Sequence, residues 1–416
     1  MGVLVVKAIL LAGGYGTRLM PLTLRLAKVM VPVAGKPVLE HLVRACAAAG
    51  VEEAVISLNT HQGAVESYFG DGSKFGVPIR YVFESSMSDE DKFGAIGAIE
   101  YAARQAGISD GCVVINGDNI FYGLDLRRLE EHHGKKGGSA TLALFTLNDK
   151  RDVEQYSAVK VDRDGRIVAF QEKPKVDEAV SNLASVGIYR LGEQVLREYL
   201  PGYVAEHKKL SKKPDRVGDL WQNFFVRMPI YGHAFSGMWG DTNSPKTYVE
   251  CHKQAMQYLV GKPFSQEFQC QQSGRLVISP SAVIDRNAII NGPAIIEDGC
   301  TVAAGAVVGA GAHLMRNVRV EGGAIVNSSI VFENAVIGSE ARLGDCVIDA
   351  NCVVGRGAHV GQYSLLGFSS KVGCRAVVGD YSRVWPFIEV GEATTVSGDL
   401  RLDESLFIKK LAGGVD

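Results

Sequence analysis

Several features are missing from this chain, and each absence excludes a class of protein. No stretch of about 18 apolar residues occurs in its 416 residues, so no membrane-crossing helix is predicted. Neither sign of charge dominates. The 44 Lys and Arg against 46 Asp and Glu leave a formal net charge of −2, which argues against a basic nucleic-acid surface or a membrane-steering patch. The eight cysteines (46, 112, 251, 270, 300, 346, 352 and 374) include no Cys-x-x-Cys pair and no group with zinc-ligand spacing. A chain of this length folds without disulfides, so reduced thiols and a cytoplasmic location are expected. The apolar start, MGVLVVKAILLAGG, has no basic region before it, is interrupted by Lys7 and ends in glycines. It reads as a buried first strand rather than a leader.

The composition that remains, 46% hydrophobic and 22% charged, is that of a folded protein with a sizeable core, and the length predicts two or three domains. Glycine is in excess, at 48 residues against a usual share of roughly 7%. There is no Gly-X-Y period, so the excess predicts tight turns and loops that bring bare backbone to a ligand.

Over the first 260 or so residues, strand-like and helix-like segments alternate. An apolar run over 5–12 ends in glycines, and PVLEHLVRACAAAG carries proline at its first turn and Gly50 at its end, a helix with both punctuation marks. EAVISL (53–58) and GCVVING (111–117) read as further strands, the second following an Ala-rich segment over 95–106. This order predicts an α/β domain over 1–262, built on a doubly wound, mostly parallel sheet whose ligands bind beyond the carboxyl ends of the strands.

The pattern then changes. Residues 263–275 lack periodicity and read as a linker. Beyond them an aliphatic residue recurs every six positions, at Ile278, Ile284, Ile290, Ile296, Val302, Val308, Leu314, Val320 and Val326. A second run in a shifted phase holds Ile330, Val336, Ile348, Val354, Val360, Leu366, Val372, Val378, Val384, Val390, Val396 and Leu402, with Arg342 breaking it. The four-residue step from Val326 to Ile330 predicts a register break. A period of six fits a prism whose short sides are hexapeptides, with aliphatic side chains stacked inside and small residues at the corners. The pattern resembles the left-handed parallel β-helix of hexapeptide-repeat proteins. It predicts about seven coils over 276–405, followed by a tail at 406–416.

Gly13, Gly14 and Gly16 follow the first strand, so backbone N–H groups can approach phosphate oxygens. The loop is not a Walker A motif, because Thr17-Arg18 follows Gly16. A dinucleotide fingerprint fails as well, since Leu19 stands at its third glycine position. Arg18 and Lys28 add cations where phosphate charge would be held.

Gly13-Gly14-Tyr15-Gly16-Thr17-Arg18-Leu19-Met20-Pro21-Leu22-Thr23, then Lys28 and Val33-Ala34-Gly35-Lys36-Pro37, resemble the signature of the sugar-1-phosphate nucleotidylyltransferases. In this chain the prolines that flank the family's lysine are replaced. Further matches follow in order: Gly117-Asp118-Asn119, Glu172-Lys173-Pro174, Ser181-Asn182-Leu183-Ala184 with Gly187-Ile188-Tyr189, and Trp239-Gly240-Asp241 with Pro245 and Tyr248. The resemblance spans roughly 1–260 and implies a Rossmann-like nucleotidyltransferase domain. It implies an NDP-sugar and pyrophosphate made from a nucleoside triphosphate and a sugar 1-phosphate, with Mg²⁺ on Asp118 and Asp241. Arg18, Lys28 and Lys173 would be the catalytic cations. Leu11, Gly13, Gly14, Gly16, Thr17, Glu84 and Gly94 would hold the nucleotide, and Asn119, Tyr156, Glu172, Lys173 and Asn182 the sugar phosphate. The repeat domain is a common companion in this family and implies a homo-oligomer; neither nucleic acid nor membrane is an expected partner.

Two departures bear on the substrate. Tyr156-Ser157 replaces a Tyr-Gly pair, placing a side chain where bare backbone would approach a sugar hydroxyl. Glu84, followed by the acidic loop 85–91, replaces a Gln or Glu closer to the next glycines. A carboxylate suits the adjacent donors of guanine, whereas Gly117-Asp118-Asn119-Ile120-Phe121-Tyr122-Gly123 resembles glucose-1-phosphate thymidylyltransferases. Mannose-1-phosphate guanylyl transfer and glucose-1-phosphate thymidylyl or uridylyl transfer both stay open. The alternatives are a regulatory or assembly protein on the same two-domain plan, or a bifunctional enzyme whose β-helix transfers an acyl group, with His313 and His359 as candidates by position.

Overall fold

A computed structural model describes residues 6–59, 63–85, 93–209, 217–259, 271–273 and 276–402. The acidic loop after Ser85, most of the segment 263–275 and the tail 406–416 lie outside the described residues. Packing divides the chain into two compact units. The first comprises residues 1–15, 27–31 and 37–239, and the second comprises 16–26, 32–36 and 240–416. The short pieces 16–26 and 32–36, early in sequence, thus pack with the repeat.

In the first unit a seven-stranded sheet has the order β10-β6-β9-β4-β1-β2-β3. Its members are β1 (Lys7–Leu11), β2 (Ala54–Asn59), β3 (Ile79–Glu84), β4 (Gly111–Asn116), β6 (Ala140–Thr146), β9 (Leu183–Gly192) and β10 (Ile230–Phe235). β1 pairs in parallel with β2 and β4, β2 with β3, and β10 with β6; β9 alone runs against its neighbours. Smaller strands are β5 (Asn119–Tyr122), β7 (Ser157–Val161) and β8 (Ile167–Glu172), the last two an antiparallel pair.

Alternation along β1 builds both layers. Ala8 and Leu10 join the core that also holds Leu39, Leu42 and Cys46 of helix α1 (Val38–Ala49). Ile9 joins the opposite core with Ile96, Ile99 and Ala102 of the helix at Gly94–Gln105. α1 ends where the sequence predicts, on Gly50 in the left-handed conformation at φ 73°. Because β2 and β3 lie on one side of β1 and β4 on the other, the order reverses between β1 and β4. The carboxyl ends of these two strands flank the crevice where doubly wound folds bind ligands.

The second unit carries the left-handed β-helix predicted from the six-residue period. Three sheets of stacked parallel strands form its sides, with seven strands in the second and in the third, so seven complete coils. Gln271–Ser273, within the segment read as linker, forms an antiparallel edge strand on Leu276–Ile278. Small residues precede the inward aliphatics by two positions, and Cys300, Cys346 and Cys352 are among them. Burial pushes these three thiols up to about 12, as it does for Cys46 and Cys112. Among the described residues no cysteine takes part in a disulfide.

The register within the repeat differs from the expectation. Inward residues after Val326 are Val331, Ile337 and Leu343, not Ile330, Val336 and Arg342. Leu314 pairs with Val331 and Val331 with Ile348, steps of 17, whereas Ile296 pairs with Leu314 and Ile348 with Leu366, steps of 18. Two corners therefore lack one residue each, and Arg342 does not interrupt the repeat: it is the outward neighbour of buried Leu343. The deleted corners turn through Ser328 (φ 47°) and Asp345 (φ 50°), both left-handed without glycine.

Candidate active site

The first unit places three of its signature elements at the reversal point. β1 ends at Leu11 and runs into Gly13 and Gly14; β4 ends at Asn116 and runs into Gly117 and Asp118. Gly117 donates to the Leu11 carbonyl at 2.9 Å, and a Cβ there would lie 2.4 Å from that oxygen. This glycine is a packing requirement, and it sets Asp118 beside the end of β1. Gly14 differs: its φ is not positive, and among the described residues nothing lies within 4 Å of where its Cβ would be. Neither packing nor conformation calls for glycine at Gly14. An unobstructed backbone is what a phosphate-binding loop supplies.

Lys28, on a short 3-10 turn (Lys28–Met30), reaches Asp118 with an Nζ–Oδ2 distance of 2.5 Å. The two side chains are 11% and 21% exposed, so the pair sits at the rim of the crevice rather than in open solvent. Lys173 is held differently. It follows β8 with φ 49°, a left-handed conformation that lysine adopts at a cost of about 1 kcal/mol or more, and its N–H donates to Tyr156 at 2.8 Å.

Other residues singled out by sequence are committed to the protein itself. Glu84 is buried, accepts from Ser57 Oγ at 3.0 Å, and lies 3.2 Å from the Cβ position of Gly13. It shapes the glycine loop from beneath, while Asn59 Nδ2 donates to the Gly13 carbonyl at 3.1 Å. Asn119 is buried and donates to Val186 O at 2.7 Å, and Asn182 donates to Leu147 O at 3.1 Å. Ser157 does not project towards a ligand as its sequence position suggests. It is buried and accepts from the Ser185 amide at 3.0 Å. These bonds fix β9 where its register shifts between Ser185 and Tyr189, around Gly187 at φ 73°. A Cβ on Gly187 would stand 2.4 Å from Asn116 Nδ2. Tyr156 packs edge-on against Trp239, with centroids 4.7 Å apart. Gly94 opens its helix at φ 75°. Gly218, a position the sequence reading did not single out, lets the helix at Val217–Phe224 approach Glu172, whose Oε2 would lie 1.9 Å from a Cβ there.

The remaining signature residues belong to the second unit. Gly16, at φ 65°, caps the 3-10 turn Thr17–Leu19 that carries Arg18, and Thr23 Oγ1 closes the segment by donating to Gly16 O at 2.8 Å. Asp241 is 3% exposed and accepts from Asn243 N at 2.9 Å. His313 is buried on the outer face of the first β-helix sheet, bonded to Glu297 at 2.7 Å and stacked on His252 at 5.6 Å. An acyl donor has no approach to a ring enclosed in this way. His359 is exposed on a strand of the third sheet.

Among the described residues no three His, Cys, Asp or Glu side chains form a metal cluster, and no helix is long and apolar enough to cross a membrane. The carboxylates available are hard oxygen donors, the kind Mg²⁺ takes one or two at a time while phosphates and water complete its shell. Asp118, already holding a cation at 2.5 Å, fits that role.

Known proteins resemble both parts of the chain. Residues 7–258 match the nucleotidyl transferase family, and 290–398 match the GMPPB C-terminal domain. A UTP–glucose-1-phosphate uridylyltransferase of Synechocystis is 33% identical over 58% of this chain and 61% of its own length. A mannose-1-phosphate guanylyltransferase of Mycobacterium tuberculosis is 30% identical over 67% of this chain and 73% of its own. Among solved structures, a candidate glucose-1-phosphate thymidylyltransferase of Bacillus anthracis, in complex with sucrose, superposes with a TM-score of 0.52. It is 27% identical over 60% of this chain and 95% of that one.

Proposed function

Since the chain belongs to the nucleotidyl transferase family, we propose that it joins a nucleoside triphosphate to a hexose 1-phosphate, giving an NDP-sugar and pyrophosphate. The observation that carries this reading is the Lys28–Asp118 pair at the reversal point of the sheet.

A phosphate oxygen of the sugar phosphate forms a bond to the α-phosphorus, and the bond from that phosphorus to the bridging oxygen breaks, releasing pyrophosphate. The attacking oxygen is already ionised near neutral pH, so no general base is needed. Both reactants are polyanions, and the chain's task is to hold them in line and offset charge. Lys28 and Lys173 hold the attacking phosphate, and Arg18 steadies the departing pyrophosphate. Leu11, Gly13, Gly14, Gly16, Thr17 and Gly94 receive the nucleotide, with Glu84 setting the loop. Tyr156 and Glu172 serve the sugar side, and Asn119 and Asn182 serve it through the backbone segments that their side chains hold in place. Asp118 and Asp241 would hold Mg²⁺, which when bound neutralises phosphate charge. The β-helix faces offer a surface for self-association.

The names of the relatives span uridylyl and guanylyl transfer, so the base and sugar are assigned by a panel. Pyrophosphate release is measured with GTP, dTTP, UTP, ATP and CTP against mannose, glucose and N-acetylglucosamine 1-phosphates. One pair is expected to turn over, with loss in Asp118→Ala and Asp241→Ala. Turnover that survives both substitutions would refute the assigned roles.

A further inference from the structure

The outward row of the first β-helix sheet runs Ile295, His313, Ile330, Val347, Leu365 and then Arg383, the first five buried. Segment 16–26 lies against successive coils of this sheet and its corners. Arg383 Nη2 donates to the Arg18 carbonyl at 2.8 Å. Pro21 Cγ stands 3.0 Å from the Cβ position of Gly367, where glycine makes room for the ring. Arg25 donates to Asp349 at 2.7 Å and to Glu333 at 3.0 Å, its guanidinium 5.7 Å from the centroid of Phe332. Asp349 is fully buried, and its Oδ1 also accepts from Ala350 N at 2.7 Å.

The spacing of these contacts is regular. Residues 18, 21 and 25 meet positions 383, 367, and 349 with 333, one coil after another.

We propose that the β-helix is a rail for the signature segment, and that Arg383 and Asp349 are positioning residues which fix Arg18 for its work on the leaving pyrophosphate. The bond from Arg383 reaches the backbone of Arg18 itself, leaving the Arg18 side chain to the substrate. The Arg25–Asp349 bond fixes the other end of the segment, and the closure from Thr23 to Gly16 keeps the part between from unwinding. The catalytic half of this proposal rests on the transferase reading above; the structural half does not.

The test uses the full chain with Arg383→Ala, Arg383→Lys and Asp349→Asn. Three quantities are read: hydrogen exchange of the amides in 16–26, thermal midpoint, and kcat and KM on the active substrate pair. The expected result for Arg383→Ala is at least tenfold faster exchange in 16–26 and about tenfold lower kcat. KM for the sugar phosphate should stay within twofold and the thermal midpoint unchanged, with partial recovery in Arg383→Lys. Arg383 lies at the partly exposed end of its row, so this variant should fold even if Asp349→Asn does not. Unchanged exchange in Arg383→Ala overturns the proposal, as does a fall in kcat that only tracks a lower thermal midpoint. If wild-type protein turns over no pair in the panel, the transferase reading fails, while the exchange measurement still decides whether the rail exists.

Discussion

Lys28 and Asp118, 90 residues apart in sequence, meet in an ion pair of 2.5 Å at the carboxyl ends of β1 and β4. In the proposed reaction the ammonium would pass from this carboxylate to the sugar phosphate. Lys28→Met is therefore expected to lower kcat/KM for the sugar phosphate by about 10², with little change in thermal midpoint. Steady-state kinetics beside a melting curve separates the two effects; equal kcat/KM in variant and wild type would remove Lys28 from the mechanism.

The two glycines at the ends of these strands should respond oppositely to alanine. Gly14→Ala adds a methyl group where nothing stands within 4 Å, so the protein should fold normally and lose nucleotide affinity. Gly117→Ala drives a Cβ to 2.4 Å from Leu11 O, so it should fold poorly. Calorimetric nucleotide titration and thermal melts on both variants provide the comparison.

Lys173 occupies a left-handed position at φ 49° that asparagine tolerates more readily. Lys173→Asn should match or slightly exceed wild type in stability while losing at least tenfold in kcat. A variant that is both stable and fully active would mean the strain serves something other than the phosphate.

The register of the β-helix makes a sharp contrast between neighbours. Leu343→Ala opens the lumen and should destabilise by about 2–5 kcal/mol. Arg342→Ala, on the outer face, should change stability by no more than about 0.5 kcal/mol. Denaturant midpoints for the two would be reversed if Arg342 rather than Leu343 occupied the inward position.

His133 is buried, and burial together with Arg190 lowers its ring to about 4. The unfolded chain takes up that proton near pH 6.5, the folded chain only near 4. Stability should therefore fall as pH drops through this window, by up to about 2 kcal/mol between pH 6.5 and 5 from this residue. His133→Asn, compared with wild type in urea titrations at pH 7.5 and 5, should show a smaller pH effect.

What could be read from sequence was whatever has a short-range signature. The ends of α1, the strand before Gly13 and the six-residue period depend on local spacing, and the structure shows each of them. The phase between Val326 and Ile348 was not legible, because Ile330-Val331 and Val336-Ile337 each offer two adjacent aliphatics and periodicity cannot choose between them. The commitments of Ser157 to Ser185 and of Glu84 to Ser57 depend on partners 27 or 28 residues away. Arg383 meets Arg18 across 365 residues, a separation at which no local pattern carries information.

Displacement of pyrophosphate from the α-phosphorus by a sugar phosphate is followed most directly in a ³¹P spectrum of the protein with Mg²⁺, a nucleoside triphosphate and a hexose 1-phosphate. The paired signals of a diphosphate diester should grow in equal amount with pyrophosphate and be absent in Asp118→Ala. Orthophosphate in place of pyrophosphate, or no new signal from folded wild-type protein across the panel, would contradict it.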